Sequence, residues 1–301
     1  MKQDFVSLGE MTPQRIQTIF QEADRLKQSK EKILSGKSLA LIFQKPSMRT
    51  RVSFEAGMFQ LGGQTIYLDP HDIQLGVRES VSDIAKVLSR YVHGIVARTF
   101  SHEDVVILAK NAAIPVINGL SDLEHPCQAL ADLYTIYKVF RRLKGIKIAY
   151  VGDGNNVLHS LLQGAGLAGM HLSVASPKGY KPLDLYVREA KHLAKKSGAR
   201  IAVGHDPVEA VKDADIVYTD VWTSMGQEKE REKRFNAFQG YQVNESLMKR
   251  AKPQARFMHC LPAHRGEEVS QGVLDGVKSI VFDQAENRLH VQKAVLAILL
   301  G

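Results

Sequence analysis

Short apolar runs recur along this chain, separated by longer stretches in which apolar residues return at helical spacing. Strand candidates in the first half are Leu39–Phe43, Thr65–Leu68, Gly94–Ala97 and Pro115–Ile117. In the second half they are Lys147–Val151, Leu172–Ala175, Arg200–Val203, Ile216–Thr219, Phe257–His259 and Ser279–Phe282. Helical stretches interleave: Arg51–Leu61, Val81–Tyr91, Asp104–Asn111, Asn156–Leu167 and Leu183–Lys196. Such alternation predicts an α/β fold of parallel β-sheets flanked by helices on both faces.

A length of 301 residues, at roughly 150 per domain, fits two domains. The best boundary is not a flexible linker. Gln128–Phe140 (QALADLYTIYKVF) has the pattern of an amphipathic helix leading into a second strand–helix series at Gly145, and Glu286–Leu300 closes the chain as another helix. The expected architecture is two α/β domains joined by helices, with a cleft between them. Ligands in such folds sit beyond the carboxyl ends of strands, so the strand-to-helix turns are where chemistry is expected.

Composition narrows the function classes. At 44% hydrophobic and 24% charged residues, disorder and fibrous folds are excluded. No apolar run approaches the roughly 18 residues of a membrane span. The opening MKQDFVSLGE has neither an apolar signal core nor transit character, and two cysteines, Cys127 and Cys260, make no disulfide scaffold, so the cytoplasm is expected. The net charge of +8 fits either nucleic acid or a small anionic substrate. The densest charged run, EKEREKR ending at Arg234, mixes signs and reads as a solvated helix face or loop; Arg141, Arg142 and Lys144 make only a short cluster. Without a recognition-helix, RRM or zinc-finger pattern, nucleic acid is the weaker reading. His125 and His259 sit near the cysteines, yet zinc-ligand spacings are missing and no metal is expected.

Six turns carry the polar residues. The first, KPSMRTRVSFE after Leu39–Phe43, offers Ser47 or Thr50 as a helix cap, with Arg49 and Arg51 in the first turn. Cations at a helix N-terminus oppose the macrodipole unless an anion sits between them, which favours phosphate binding over capping alone. Arg98 follows the strand Gly94–Ala97; such an arginine is by itself often a surface residue. His125-Pro126-Cys127-Gln128 opens the interdomain helix, and either a ligand site or an ordinary proline-led helix start accounts for it. Gly152-Asp153-Gly154-Asn155-Asn156 resembles a dinucleotide fingerprint, but Val157 stands at the third glycine position and Ser176-Pro177 where an acidic residue belongs. The carboxamides of Asn155 and Asn156 suit a polar small molecule instead. Asp220 through Gly226 offers a carboxylate for an ammonium, with Ser224 and backbone N–H groups for a carboxylate. The sixth is His259-Cys260-Leu261-Pro262, where a buried structural cysteine is the ordinary alternative.

Taken in order, with Glu286-Asn287-Arg288 added, these turns closely resemble the ornithine carbamoyltransferase family over essentially the whole chain. The first and third motifs are common to carbamoyltransferases; Ser224-Met225-Gly226 and the HCLP turn separate the ornithine enzymes from the aspartate ones. The resemblance implies a carbamoyl-phosphate-binding domain over residues 1–133, completed by 286–301, and an ornithine-binding domain over 134–285. It implies that carbamoyl phosphate sits on Ser47, Met48, Arg49, Thr50, Arg98, His125, Gln128, Cys260, Leu261 and Arg288. Gln74 matches a residue reaching a neighbouring subunit's site in a homotrimer. Ornithine would sit on Asn156, Asp220, Ser224 and Met225, with Arg98, His125, Asp220 and Cys260 closest to the chemistry. Met48 stands where the family usually has Thr, which removes a hydroxyl and keeps the backbone N–H.

The implied reaction moves a carbamoyl group from carbamoyl phosphate to the δ-amino group of L-ornithine, giving L-citrulline and phosphate, a step of arginine metabolism. It needs no cofactor, and its partners are the two small substrates rather than nucleic acid or membrane. The nearest alternative is transfer to another amine, such as putrescine or an acylated ornithine. Other classes remain: a Rossmann oxidoreductase using the Gly152 turn, and a basic nucleic-acid-binding module.

Overall fold

The computed structural model describes residues 2–224, 226 and 228–301, the side chains of Asp72 and Glu228 excepted. The apolar runs become strands because both faces are covered, the condition under which parallel strands read as continuous hydrophobic segments. All residues of β1 (Ser38–Phe43) are buried. β2 (Gln64–Leu68) is a half-exposed edge, whereas β3 (Gly94–Arg98) is buried throughout and β4 (Val116–Leu120) nearly so. They pair in the order β2-β1-β3-β4, every pair parallel. The second sheet holds β5 (Lys147–Val151), β6 (His171–Ala175), β7 (Ile201–Gly204), β8 (Ile216–Thr219) and β9 (Arg256–His259). Its order is β7-β6-β5-β8-β9, again parallel at every pair.

Two compact units result, one made of residues up to Tyr134 with Glu286–Gly301, the other of Thr135–Ala285. Both divisions fall inside helices, Pro126–Phe140 and Val281–Leu300. The first unit packs Ala40, Ile42, Ile95 and Val116 of its sheet against Ile84 and Leu108 from the helices Val81–Tyr91 and His102–Asn111. In the second, Ala149, Val217 and Phe257 pack against Val211, Leu247 and Leu274.

Several expected elements shift. Ser279–Phe282 is not a strand: Ser279 makes an isolated bridge to Phe257, and Val281 already begins the last helix. A short apolar run cannot by itself distinguish a strand from the first turn of a buried helix. The helix around Gln128 is not amphipathic over most of its length, being buried from Pro126 to Ile136. The helix expected from Arg51 begins at Met48, because Ser47 Oγ accepts the Thr50 N–H and caps it. A helix over Pro13–Gln28 lay outside the expectations. Thr12 caps it, Pro13 occupies its first turn, and Ile16, Ile19, Phe20, Ala23 and Leu26 form its buried stripe.

The Gly152–Asn156 turn explains one glycine of the apparent dinucleotide fingerprint. A Cβ at Gly154 would lie 2.2 Å from backbone atoms of both Lys181 and Pro182. Gly154 also donates its N–H to the Tyr180 carbonyl at 2.8 Å. The missing side chain admits a neighbouring stretch of protein backbone, so the space a pyrophosphate would need here is already filled.

Candidate functional site

Within the first unit, neighbouring strands β1, β3 and β4 aim their carboxyl ends at the first three turns. Beyond β1 the helix Met48–Gln60 begins, its Thr50 N–H capped by Ser47 Oγ, with Arg49 part-exposed and Thr50 buried. Arg98 ends β3 and is 5% exposed. His125 and Gln128, both buried, stand at the head of the helix that follows β4. The last helix completes the group. Arg288 Nη1 donates to Gln128 Oε1 at 2.8 Å and Nη2 to Thr50 Oγ1 at 3.1 Å. Gln128 is oriented from its other end by donating Nε2–H to Asp132 Oδ1 at 2.8 Å.

Electrostatics tie the remaining members together. Burial, and then the positive charges of Arg288, Arg98 and Arg49, hold the His125 imidazole well below its ordinary pKa. His125 is therefore neutral at physiological pH and can donate one hydrogen bond without carrying charge. Lys45 is lowered as well, by burial and then by Arg98. Three guanidinium groups thus act on one buried ring at the head of a helix, a concentration of positive charge that suits an anion. Met48, by contrast, points to solvent, 69% exposed. Gln74 is exposed on the loop after β2, its backbone left-handed at φ 41° and its side-chain amide donating to the His71 carbonyl at 3.3 Å. It does not join the Thr50–Gln128–Arg288 group.

The second unit repeats the arrangement, with neighbouring strands β5, β8 and β9 leading to the fourth, fifth and sixth turns. Asp220 is its centre and is 5% exposed. Oδ2 accepts from Asn155 Nδ2 at 2.7 Å, while Oδ1 accepts from the Val221 N–H at 2.8 Å and from Cys260 Sγ at 3.0 Å. Asn155 caps the helix Asn156–Ala168 through its other side-chain atom, which places Asn156 in the first helical turn. Ser224 lies part-buried on the loop that Asp220 begins. Met225 lies outside the described residues.

Sequence reasoning missed what holds the sixth turn. His259 and Glu268 are both fully buried, and His259 Nε2 lies 3.1 Å from Glu268 Oε1. His259 Nδ1 accepts the Leu261 N–H at 2.8 Å, so the ring proton is assigned to Nε2 and is donated to Glu268. Leu261 sits at φ 59°, a conformation costly for a non-glycine residue, and this relay holds it there beside Cys260. A fully buried histidine–glutamate pair within one short segment leaves no periodic signal in the sequence.

Two groups of possible metal ligands occur among the described residues, Asp220–His259–Cys260 and His264–Glu267–Glu268, each set of atoms lying within 4.8 Å. In the first, both nitrogens of His259 and both oxygens of Asp220 already hold hydrogen bonds, so a cation would have to displace them.

Comparisons bear on what these two arrangements do. Residues 3–138 match the aspartate/ornithine carbamoyltransferase carbamoyl-P binding domain, and residues 144–299 match the Asp/Orn binding domain of the same family. The ornithine carbamoyltransferase of Anoxybacillus flavithermus is 55% identical over 302 residues, covering 99% of this chain and 96% of the relative. That of Thermococcus kodakarensis is 54% identical, with 99% and 96% covered. The solved ornithine carbamoyltransferase of Pyrococcus furiosus superposes with a TM-score of 0.97 at 53% identity, covering 99% of this chain and 97% of that one.

The two thiols should differ sharply. Cys127 is buried, with burial pushing its pKa up to about 12, whereas Cys260 is partly accessible. A thiol-specific reagent added to the native protein should modify Cys260 alone, and Cys127 only after denaturation. Peptide mapping that finds Cys127 labelled in the native protein contradicts this environment.

Proposed function

The chain belongs to the aspartate/ornithine carbamoyltransferase family, and from that membership we infer which of its residues serve the reaction. It is a carbamoyl-group transferase that carries the carbamoyl group of carbamoyl phosphate to the δ-amino group of L-ornithine, giving L-citrulline and phosphate. The observation that carries the residue assignment is the convergence of Arg49, Arg98 and Arg288 on neutral His125. In this reading the phosphate lies on the helix N-terminus formed by Ser47, Met48, Arg49 and Thr50, where position 48 contributes only its backbone N–H. Arg288 is aligned by Thr50 and Gln128.

The carbamoyl oxygen gains negative charge as the amine attacks. Thr50, Arg98 and His125 are the donors proposed for it, and a neutral imidazole N–H suits the task because it adds a hydrogen bond without a fixed charge. Ornithine arrives as an ammonium with a pKa near about 10, so one proton leaves to solvent before attack. The nitrogen lone pair then forms the C–N bond, the C–O bond to phosphate breaks, and the second proton leaves with the phosphate. Asp220 and Cys260 orient the amine: the thiol proton is directed at Asp220, which turns the sulfur lone pairs outward. Asn156, Ser224 and Met225 are proposed for the amino-acid end of ornithine, and Leu261 for the carbamoyl group. Both cysteines are free thiols, which fits a reducing cytoplasm. A homotrimer is proposed in which exposed Gln74 serves a neighbouring site.

Two outcomes test this. Arg98→Ala should lower kcat/KM for carbamoyl phosphate by at least about 10²-fold, since a charge-assisted donor to the developing oxyanion is lost. Parental activity in the folded variant removes Arg98 from the site. The amine assignment predicts a preference for ornithine over putrescine of about 10⁴-fold, because a plain diamine leaves the carboxylate-binding groups unpaired. Equal turnover of both amines, read as carbamoylated product, refutes the assignment of Asn156 and Ser224 to the α-carboxylate.

A further inference from the structure

The mixed-charge run that reads as a solvated face buries one of its members. Arg234, on the helix Arg231–Ala237, is 7% exposed. Its guanidinium reaches two loops at once. Nη1 lies 3.2 Å from Asp153 Oδ2 in the turn after β5, and donates to the Trp222 carbonyl at 3.0 Å in the loop after β8. Nε pairs with Glu230 at 3.2 Å, and the plane lies over the Tyr180 ring with its central carbon 5.0 Å from the centroid. Asp153 is itself only 5% exposed.

These two loops carry Asn156 and the Asp220–Ser224 segment. We propose that Arg234 is the positioning residue of the amino-acid half of the site, setting the separation of Asn156 from Ser224 by clamping Asp153 to the Trp222 carbonyl. The proposal rests on the ornithine reading given above. A buried ion pair is a weak source of stability, because desolvation consumes most of its attraction; its better-attested use is to specify one geometry among several. The planar fork of arginine suits that use, since one group contacts a carboxylate and a carbonyl in fixed directions. Trp222 stacks on Phe238 at 5.7 Å and meets Phe235 edge-on at 5.9 Å, so the clamped loop is backed by aromatic packing from the same helical segment.

The clamp has a pH limit. Asp153 is pushed up to about 6 by burial, with Arg234 opposing that shift and Asp220 adding to it. The groups facing its carboxylate are Arg234 from the helix, Asp220 from the loop after β8 and the Gly154 N–H from its own segment, while the Tyr150 hydroxyl donates to the Asp153 backbone carbonyl at 3.0 Å. As pH falls through about 6 the carboxylate takes up a proton and Arg234 loses its counter-charge.

Steady-state kinetics of the full-length protein and its Arg234→Gln, Arg234→Lys and Asp153→Asn variants test this. Citrulline formation by the parent is measured first, and its failure there counts against the functional reading alone. The expected result is an ornithine KM raised at least about 10-fold in Arg234→Gln and Asp153→Asn, with the carbamoyl phosphate KM within about 2-fold of parental. The double variant should be no worse than the worse single, because both remove one interaction. Below about pH 6 the parent's ornithine KM should climb more steeply than that of Asp153→Asn, which shares the substrate's own titration and lacks the carboxylate. A merely structural arginine would lower the thermal midpoint and the yield of active protein while leaving the ornithine KM alone. Should Arg234→Gln not fold, Arg234→Lys, whose single ammonium cannot hold both partners in the same directions, carries the test. Parental ornithine KM in every folded variant overturns the proposal.

Discussion

Arg288 is the group on which the first unit's cluster of motif turns depends. The residue is 3% exposed, and its hydrogen bonds to Thr50 and Gln128 span sequence separations of 238 and 160 residues. Removing a cation from water is costly, so it must be met by well-aimed acceptors. Those acceptors are also the residues that face the proposed ligand. A single buried charge therefore fixes the first turn after β1, the head of the helix after β4 and the last helix relative to one another, while lowering the proton affinity of His125.

Around that constraint both units use one solution. Three adjacent parallel strands end together, and each delivers a turn: β1, β3 and β4 in one sheet, β5, β8 and β9 in the other. What differs is the sign of the group presented. The first unit gathers guanidinium groups, and the second centres a carboxylate that three donors have already oriented. The polarity matches the two substrates of an ornithine carbamoyltransferase, one an acyl phosphate and the other a diamino acid.

Much of this was legible in the residues. Strands buried on both faces announce themselves as apolar runs, and capped helices by Ser, Asn or Pro at their starts. The motif turns were legible because each combines a strand end with an unusual polar residue. What escaped was decided by tertiary burial. Ser279–Phe282 has the composition of a strand, yet only Ser279 reaches the sheet before the last helix begins. Arg234 has neighbours of both signs in sequence, so nothing local distinguishes the one member that turns inward. The glycines of the Gly152 turn suggested a nucleotide, where Gly154 instead admits the backbone at Lys181 and Pro182. His259 and Glu268 found each other across a tight turn whose conformation no spacing rule anticipates.

The discontinuity of the first unit has a consequence for biosynthesis. Domains usually fold in the order in which the ribosome releases them, the N-terminal one first. Here the first unit includes Glu286–Gly301, whereas the second is complete once Ala285 has left the exit tunnel. During translation the second unit has its full chain while the earlier-made one still lacks its closing helix and Arg288. The cluster proposed for phosphate is therefore the last part of the nascent protein to be completed, because Arg288 arrives with the final helix.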